Sequence, residues 1–178
     1  MESINNGKAT ITTSLNEIGI LIPSKKNWLV LIFGTAWLGG WYFGLQNALE
    51  MLESGFRGFI FFWLIAWSVG GLGITGLLLW GYFGKEMLHI SSNKVLLNKT
   101  IFGIGIKKTL QKSAVKNVRF NKVEIQYFKN NQNWGIWGVG EGKIKFDYGM
   151  KTYSLGLGVD DAEAHYIIEK IKTRIEDS

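Results

Sequence analysis

Few side chains in this 178-residue chain are of the types that carry out catalysis. It has no cysteine, which excludes a disulfide framework, a thiolate-held metal centre and a cysteine nucleophile. Its two histidines, His89 and His165, are isolated from each other, and the sequence shows no partner for a paired acid–base role. The acidic residues Asp160, Asp161 and Glu163 stand where a helix begins, so capping explains them better than metal binding. We therefore predict no catalytic residue, no metal site, no cofactor and no enzymatic activity.

Lysine is the residue type that shows the clearest charge pattern. Residues 85–140 carry ten basic and two acidic side chains, a net charge of +8, in a chain whose formal net charge is +6. A basic surface near a bilayer attracts anionic lipid, at about 1 kcal/mol for each well-placed lysine. A solvated basic surface without a ligand is the alternative. The lysines are scattered and accompany no nucleic-acid-binding motif, so we predict no nucleic-acid partner.

Tryptophan is the second unusual residue type. Six tryptophans fall into three close pairs, two of them at helical spacing and the third among four glycines in residues 129–142. Packing inside the protein is the first interpretation of these residues; the functional alternative is contact with a partner, because tryptophan is a favoured anchor of protein contacts. They are Trp37 and Trp41, Trp63 and Trp67, and Trp134 and Trp137.

Small residues recur every three or four positions beside the first two tryptophan pairs. Membrane helices associate through such residues, because small side chains allow the two backbones to approach closely. The sequence therefore predicts a helix-packing stripe made of Ala36, Gly40, Gly44, Ala66, Gly70 and Gly73.

Two long uncharged segments contain these residues. Residues 27–49 and 58–84 are each longer than the roughly 20 residues that cross a bilayer, so residues 25–84 are predicted to form a two-helix transmembrane hairpin. Neither segment contains Asp, Glu, Lys, Arg or His, which argues against an ion or proton pathway. Lys25, Lys26 and Lys85 flank the hairpin on one side, so the positive-inside rule predicts a multi-pass protein with both termini in the cytoplasm.

The remaining residues predict a mostly-β domain. Residues 85–178 contain short apolar runs broken by turn residues, and then one amphipathic helix that begins near Asp160. The predicted strands lie near 86–91, 94–102, 105–110, 115–128, 134–139, 143–148 and 151–156. Residues 9–24 predict a β segment that packs on this domain and ends at Pro23, and residues 1–8 are predicted to be disordered.

Seven strands followed by one helix is the order of a pleckstrin-homology (PH) domain. Residues 142–156, followed by the Asp160–Ala164 segment, resemble the end of a bacterial PH-like domain. The whole arrangement resembles a set of uncharacterised bacterial membrane proteins with a two-helix transmembrane hairpin and a PH-like domain. Its layout also resembles the two-span photosystem I assembly protein. The resemblance implies a seven-stranded bent barrel with a C-terminal helix, located at the bacterial cytoplasmic membrane.

The resemblance also directs attention to one group of lysines. PH domains that bind phosphoinositides use basic residues near their early strand loops, which implies headgroup contact by Lys107, Lys108 and Lys112. Two functions are therefore expected from the sequence. One is an accessory subunit or assembly factor of a larger membrane complex, through a membrane-protein partner or a second copy. The other is a membrane-anchored module that binds anionic lipid.

Overall fold

The computed structural model describes residues 2–4, 7–53, 58–122, 135 and 138–176. These residues form three helices: α1 (Trp28–Glu53), α2 (Gly58–Phe83) and α3 (Asp161–Glu176). They also form nine strands: β1 (Glu2–Ile4), β2 (Thr10–Thr13), β3 (Ile18–Pro23), β4 (Gly84–Ile90), β5 (Lys94–Ile101), β6 (Ile104–Gln111), β7 (Val115–Phe120), β8 (Ile144–Tyr148) and β9 (Lys151–Leu155).

The first sheet has six antiparallel strands in the order β1 to β6. Its strands β3 and β4 are hydrogen-bonded neighbours, with Pro23 opposite Lys85 and Ile18 opposite Ile90, although α1 and α2 lie between them in the chain. The helical hairpin is therefore an insertion between two adjacent strands. We call the end of the sheet at Pro23 and Gly84 the helix-proximal end, and the end at Ile18 and Ile90 the helix-distal end.

The second sheet, β7-β8-β9, completes the domain together with α3. The buried core combines side chains from both sheets and from the helix. Apolar residues at every second position of a strand produce this core, because successive side chains of a strand point to opposite faces. In β4, for example, Leu88 and Ile90 are buried, whereas Lys85 and Met87 are exposed. Each fully buried leucine or isoleucine contributes about 1.5–3 kcal/mol relative to an exposed one.

Polar contacts tie α3 to the N-terminal strands. The Asp160 carboxylate accepts a hydrogen bond from the Glu163 backbone N–H at 2.7 Å, which confirms the predicted helix cap. The Glu163 carboxylate accepts one from the Ala9 N–H at 2.7 Å. At the other end of the helix, Arg174 donates to the carbonyl of Ser14 at 2.7 Å. The helix thus holds β2 and the β2–β3 turn against the rest of the domain.

The predicted fold class is confirmed in its coarse features, which are two long apolar helices, antiparallel strands and a C-terminal helix. It is wrong in its order and its closure. Three strands precede the helices, and the described strands form two separate sheets rather than a closed seven-stranded bent barrel. Between β6 of the first sheet and β9 of the second, the Lys108 ammonium lies 5.0 Å from the centre of the Tyr153 ring.

Three local predictions also differ from the structure. Residues 2–4, which were expected to be disordered, form β1, because backbone hydrogen bonds to β2 extend the sheet without a strong side-chain pattern. The predicted strand 115–128 ends at Phe120, and residues 123–128 lie outside the described part of the chain. In the predicted strand 134–139, the described residues Gly135, Gly138 and Val139 are not extended in a sheet.

Both α1 and α2 are long and apolar enough to cross a membrane. Only 11% and 17% of their most apolar segments are buried within the protein, so neither is a core helix of the chain as described. Their exposed surfaces include large apolar side chains such as Phe33, Phe43, Phe62 and Leu72. Such continuous apolar exposure is typical of a surface that faces lipid or another membrane helix.

Replacing the α3 cap tests how strongly the helix stabilises the domain. We expect Asp160→Ala to lower the free energy of unfolding by about 1 kcal/mol, because the Glu163 N–H loses its acceptor. Asp160→Asn keeps a side-chain acceptor and is expected to cost only a few tenths of a kcal/mol. Hydrogen exchange of the β3 and β8 amides in full-length protein measures both values. Equal losses in the two variants would contradict the capping role.

Candidate functional site

Three of the candidate tryptophans form a continuous stack between α1 and α2. The Trp41 and Trp67 rings are nearly parallel, 5.8 Å apart, and Trp63 stacks on Trp67 at 4.4 Å. The Trp67 indole N–H also donates to the Trp41 carbonyl at 3.4 Å. These rings therefore pack within the hairpin. Trp37 is exposed and stands outside this stack.

Two glycines make room for the stacked rings. A Cβ atom on Gly71 would collide with the Trp41 ring, and one on Gly44 would lie 3.2 Å from the Trp67 ring. Closer to the helix-proximal end of the sheet, Gly81 accommodates the Leu31 side chain in the same way. The large rings on one helix thus fit against the small residues of the other, as close packing of membrane helices requires.

The predicted helix-packing stripe coincides with this interface only at Gly44. Gly40, Gly70 and Gly73 have open space where a Cβ atom would project, and Ala36 and Ala66 are exposed. For the α1 residues the reason is geometric: a row with four-residue spacing rotates by about 40° per step around an α-helix, so it leaves the interface within two or three steps. The observed contact in α1 instead passes through Leu31, Gly34, Trp41 and Ala48, which are spaced by three and then by seven residues.

The three candidate headgroup lysines do not form one site. Lys107 and Lys108 are consecutive on β6 and lie opposite Asn98 and Leu97, so their side chains point to opposite faces of the sheet. Lys112 is buried in a 3₁₀ turn (Lys112–Ala114) at the helix-distal end, the end that lies farthest from α1 and α2. A single phosphate group could not contact all three.

The structure brings together a different group of lysines. Burial lowers the pKa of Lys25, and the charges of Lys143 and Lys8 lower it further. Lys25 comes from the segment between β3 and α1, Lys143 is the residue before β8, and Lys8 lies just before β2. Lys143 also forms an ion pair with Asp161 at 2.6 Å. We call Lys8, Lys25 and Lys143 the lysine cluster; sequence reasoning missed it because its members are far apart in the chain.

Hydrogen bonds join the helices to the β domain at the helix-proximal end. The Ser24 hydroxyl donates to the Gly81 carbonyl at 3.1 Å, and the Lys26 ammonium donates to the Tyr82 carbonyl at 2.9 Å. The Trp80 indole N–H donates to the Gly138 carbonyl at 2.7 Å. These bonds fix the direction in which the hairpin leaves the sheet.

A buried carboxylate lies just below this junction. Glu86 pairs with the Lys99 ammonium at 2.7 Å and accepts the backbone N–H of Gly156 at 2.6 Å. Both carboxylate oxygens thus have partners, and the residue attaches the β9–α3 connection to the first sheet. Sequence reasoning missed this residue, although an acid in the buried row of a strand that also contains Leu88 and Ile90 was a usable signal.

The described residues do not assemble a catalytic group around the remaining polar side chains. The Asp147 carboxylate accepts hydrogen bonds from Arg119, Thr152 and Asn117, and the Arg119 guanidinium in particular holds the pKa of that carboxyl far below its usual range. His165 stacks on Phe120 at 4.4 Å, and His89 lies 3.6 Å from Glu17. No cluster of potential metal ligands occurs in the described ranges.

The third tryptophan pair cannot be placed, because Trp134 and Trp137 lie outside the described residues. Comparison with known proteins adds no assignment: the chain matches no protein-family model and no curated protein sequence.

The contact between Gly71 and Trp41 allows a matched test of the stack. Gly71→Ala is expected to displace the Trp41 ring and to weaken the near-ultraviolet circular dichroism of the stacked tryptophans, at a cost of about 1–3 kcal/mol from overpacking. Gly70→Ala is the control, because its added methyl group enters open space. Spectra of the purified proteins in detergent provide the measurement. A similar change in both variants would show that the stack does not depend on Gly71.

Proposed function

We propose that this chain is a non-enzymatic integral membrane protein that serves as an accessory subunit or assembly factor of a larger membrane complex. In this proposal α1 and α2 cross the bacterial cytoplasmic membrane, and both termini lie in the cytoplasm. Lys25, Lys26 and Lys85 at the helix-proximal end support that orientation, because positive charge is retained on the cytoplasmic side.

One observation carries the proposal: α2 has a small-residue flank that the hairpin does not use for its own packing. Ala66, Gly70 and Gly73 fall within an arc of about 60° on the helix, and all three are exposed. The contact with α1 is made by another face, which includes Leu64, Gly71 and Leu78. A second membrane helix could approach the exposed flank closely, and such close approach is what drives helix association in lipid.

Enlarging this flank tests the proposal. The double variant Gly70→Leu with Gly73→Leu fills open space, so we expect the hairpin to fold normally but to lose its partner. The fraction of co-purifying membrane protein should fall on the order of tenfold, the effect of about 1.4 kcal/mol. Quantitative mass spectrometry of tagged protein, extracted in mild detergent from its native membrane, measures this fraction.

Leu72→Phe provides the matched control for that experiment. Leu72 is also exposed, but it lies about 100° and 160° around the helix from Gly73 and Gly70. Its enlargement should leave the partner bound. A wild-type protein that is recovered alone from its native membrane would contradict the proposal, whatever the variants do.

The lysine cluster favours a second candidate function, the binding of anionic lipid headgroups. Burial lowers the pKa of Lys25, and the nearby charges of Lys143 and Lys8 lower it further, so a phosphate at this position would relieve the repulsion on the Lys25 ammonium. Lys25 stands three residues before α1, so a headgroup at this position would belong to a lipid beside the hairpin. This candidate replaces Lys107, Lys108 and Lys112 with a group that the fold brings together.

Charge removal distinguishes the two lysine groups. We expect Lys8→Gln with Lys25→Gln to reduce the enrichment of phosphatidylglycerol over phosphatidylcholine by about fivefold for each lysine. The control, Lys107→Gln with Lys108→Gln, changes the net charge equally and should retain the enrichment. Lipid analysis of protein purified from vesicles that contain both lipids measures the ratio. Enrichment that is unaffected by removal of Lys8 and Lys25 would contradict this function.

A further inference from the structure

The turn between β5 and β6 presents an exposed apolar surface at the helix-proximal end. Phe102, Ile104 and Ile106 are 68%, 83% and 67% exposed. The Phe102 ring lies 4.5 Å from that of Phe83, the last residue of α2, which is itself exposed. We call these four residues the turn patch.

The backbone of this turn is unusual for the residue that it holds. Phe102 and Gly103 both have positive φ, +51° and +85°, as the two-residue turns that best fit a twisted hairpin require. Glycine and asparagine suit such positions, whereas a bulky side chain is an outlier there. The Phe102 ring is not buried in the domain, so packing of the domain itself does not account for its presence.

We propose that the turn patch inserts into the bilayer beside α2 and contacts lipid at the boundary between headgroups and acyl chains. The inference rests on the proposed membrane span of α1 and α2. Its geometric basis is the pairing of Gly84 with Ile101, which places the turn at the level where α2 ends. The turn patch is therefore continuous with the apolar surface of α2 through the Phe83 ring.

Charge along the same hairpin supports lipid as the occupant. Apolar residues occupy the turn itself, and lysines begin at Lys99 on β5 and Lys107 on β6. At about 3.4 Å per residue, Lys107 lies roughly 10–14 Å from the tip of the turn. An apolar tip inserts about 5–10 Å into the interface, so these lysines would stand at or just outside the phosphate layer.

The distribution of lysines also disfavours a protein strand as the occupant. β6 is an edge of the first sheet, and the consecutive lysines Lys107 and Lys108 stand on it. Lysine on an edge strand opposes pairing with another chain. A lipid contact requires only the turn and leaves the β6 edge uncovered.

The absence of cysteine makes a direct measurement possible, because one introduced cysteine becomes the only labelling site. We would attach an environment-sensitive fluorophore to Ile104→Cys in the full-length protein, in phosphatidylcholine–phosphatidylglycerol vesicles. Met150→Cys is the matched control, since Met150 is a fully exposed apolar residue in the turn between β8 and β9, at the helix-distal end. Leu72→Cys, near the middle of α2, reports the span itself.

We expect lipids that carry an acyl-chain quencher to quench the label at residues 104 and 72 but not at residue 150. Adding Phe102→Asn to the Ile104→Cys protein should increase quenching by aqueous iodide about tenfold, because the ring that anchors the turn is gone. Asparagine suits the positive φ of this position, so the turn itself should be kept.

Each other outcome has a distinct meaning. A label at residue 104 that is as exposed to iodide as residue 150, while residue 72 is quenched by lipid, overturns the insertion and leaves the span intact. An unquenched residue 72 overturns the membrane span and the insertion with it. Protection of residue 104 from iodide without quenching by lipid means that protein covers the turn patch. An unchanged signal in the Phe102→Asn protein removes the anchoring role of the ring.

Discussion

The pairing of β3 with β4 is the constraint on which the rest of the structure depends. Adjacent strands lie about 4.8 Å apart, whereas packed helices lie 8–10 Å apart, so the chain must diverge between the sheet and the hairpin. The Ser24 N–H donates to the Gly84 carbonyl at 2.9 Å, as in the sheet, and the Ser24 hydroxyl donates to the carbonyl of Gly81 in α2. Gly81 in turn admits the Leu31 side chain. One serine and one glycine thus complete the transition from sheet spacing to helix spacing.

The same constraint orients the surfaces that we connect with function. Because β3 and β4 hold both ends of the hairpin, the lysine cluster, the Trp80–Gly138 bond and the turn patch all lie at the end where the helices leave the domain. At this end Glu86 joins the first sheet to the β9–α3 connection through its bonds to Lys99 and Gly156. The lipid and partner-helix contacts that we propose would therefore be made by a hairpin that is hydrogen-bonded to the β domain.

The sequence predicted the features that follow from local periodicity. The two long apolar helices, the capped C-terminal helix and most strands after residue 84 could be read from spacing and turn residues. The sequence did not show which face of each helix packs against the other helix. Small-residue stripes such as Ala36 and Gly40 on α1, or Gly70 and Gly73 on α2, suit contact inside the hairpin and contact with a partner equally well. The approach of residues that are far apart in the chain could not be predicted either, because nothing in the sequence places Lys8 near Lys25.

The insertion of two helices between neighbouring strands also determines when the six-stranded sheet can form during synthesis and membrane insertion. β3 leaves the ribosome 60 residues before its partner β4, and both helices are synthesised in between. The six-stranded sheet can form only when β3 and β4 are on the same side of the bilayer, which requires that both helices, or neither, have crossed it. A chain with only one helix inserted would leave β3 and β4 separated by lipid, each with an unpaired edge. If the helices span the membrane as we propose, completion of the β domain is therefore incompatible with the insertion of only one of them.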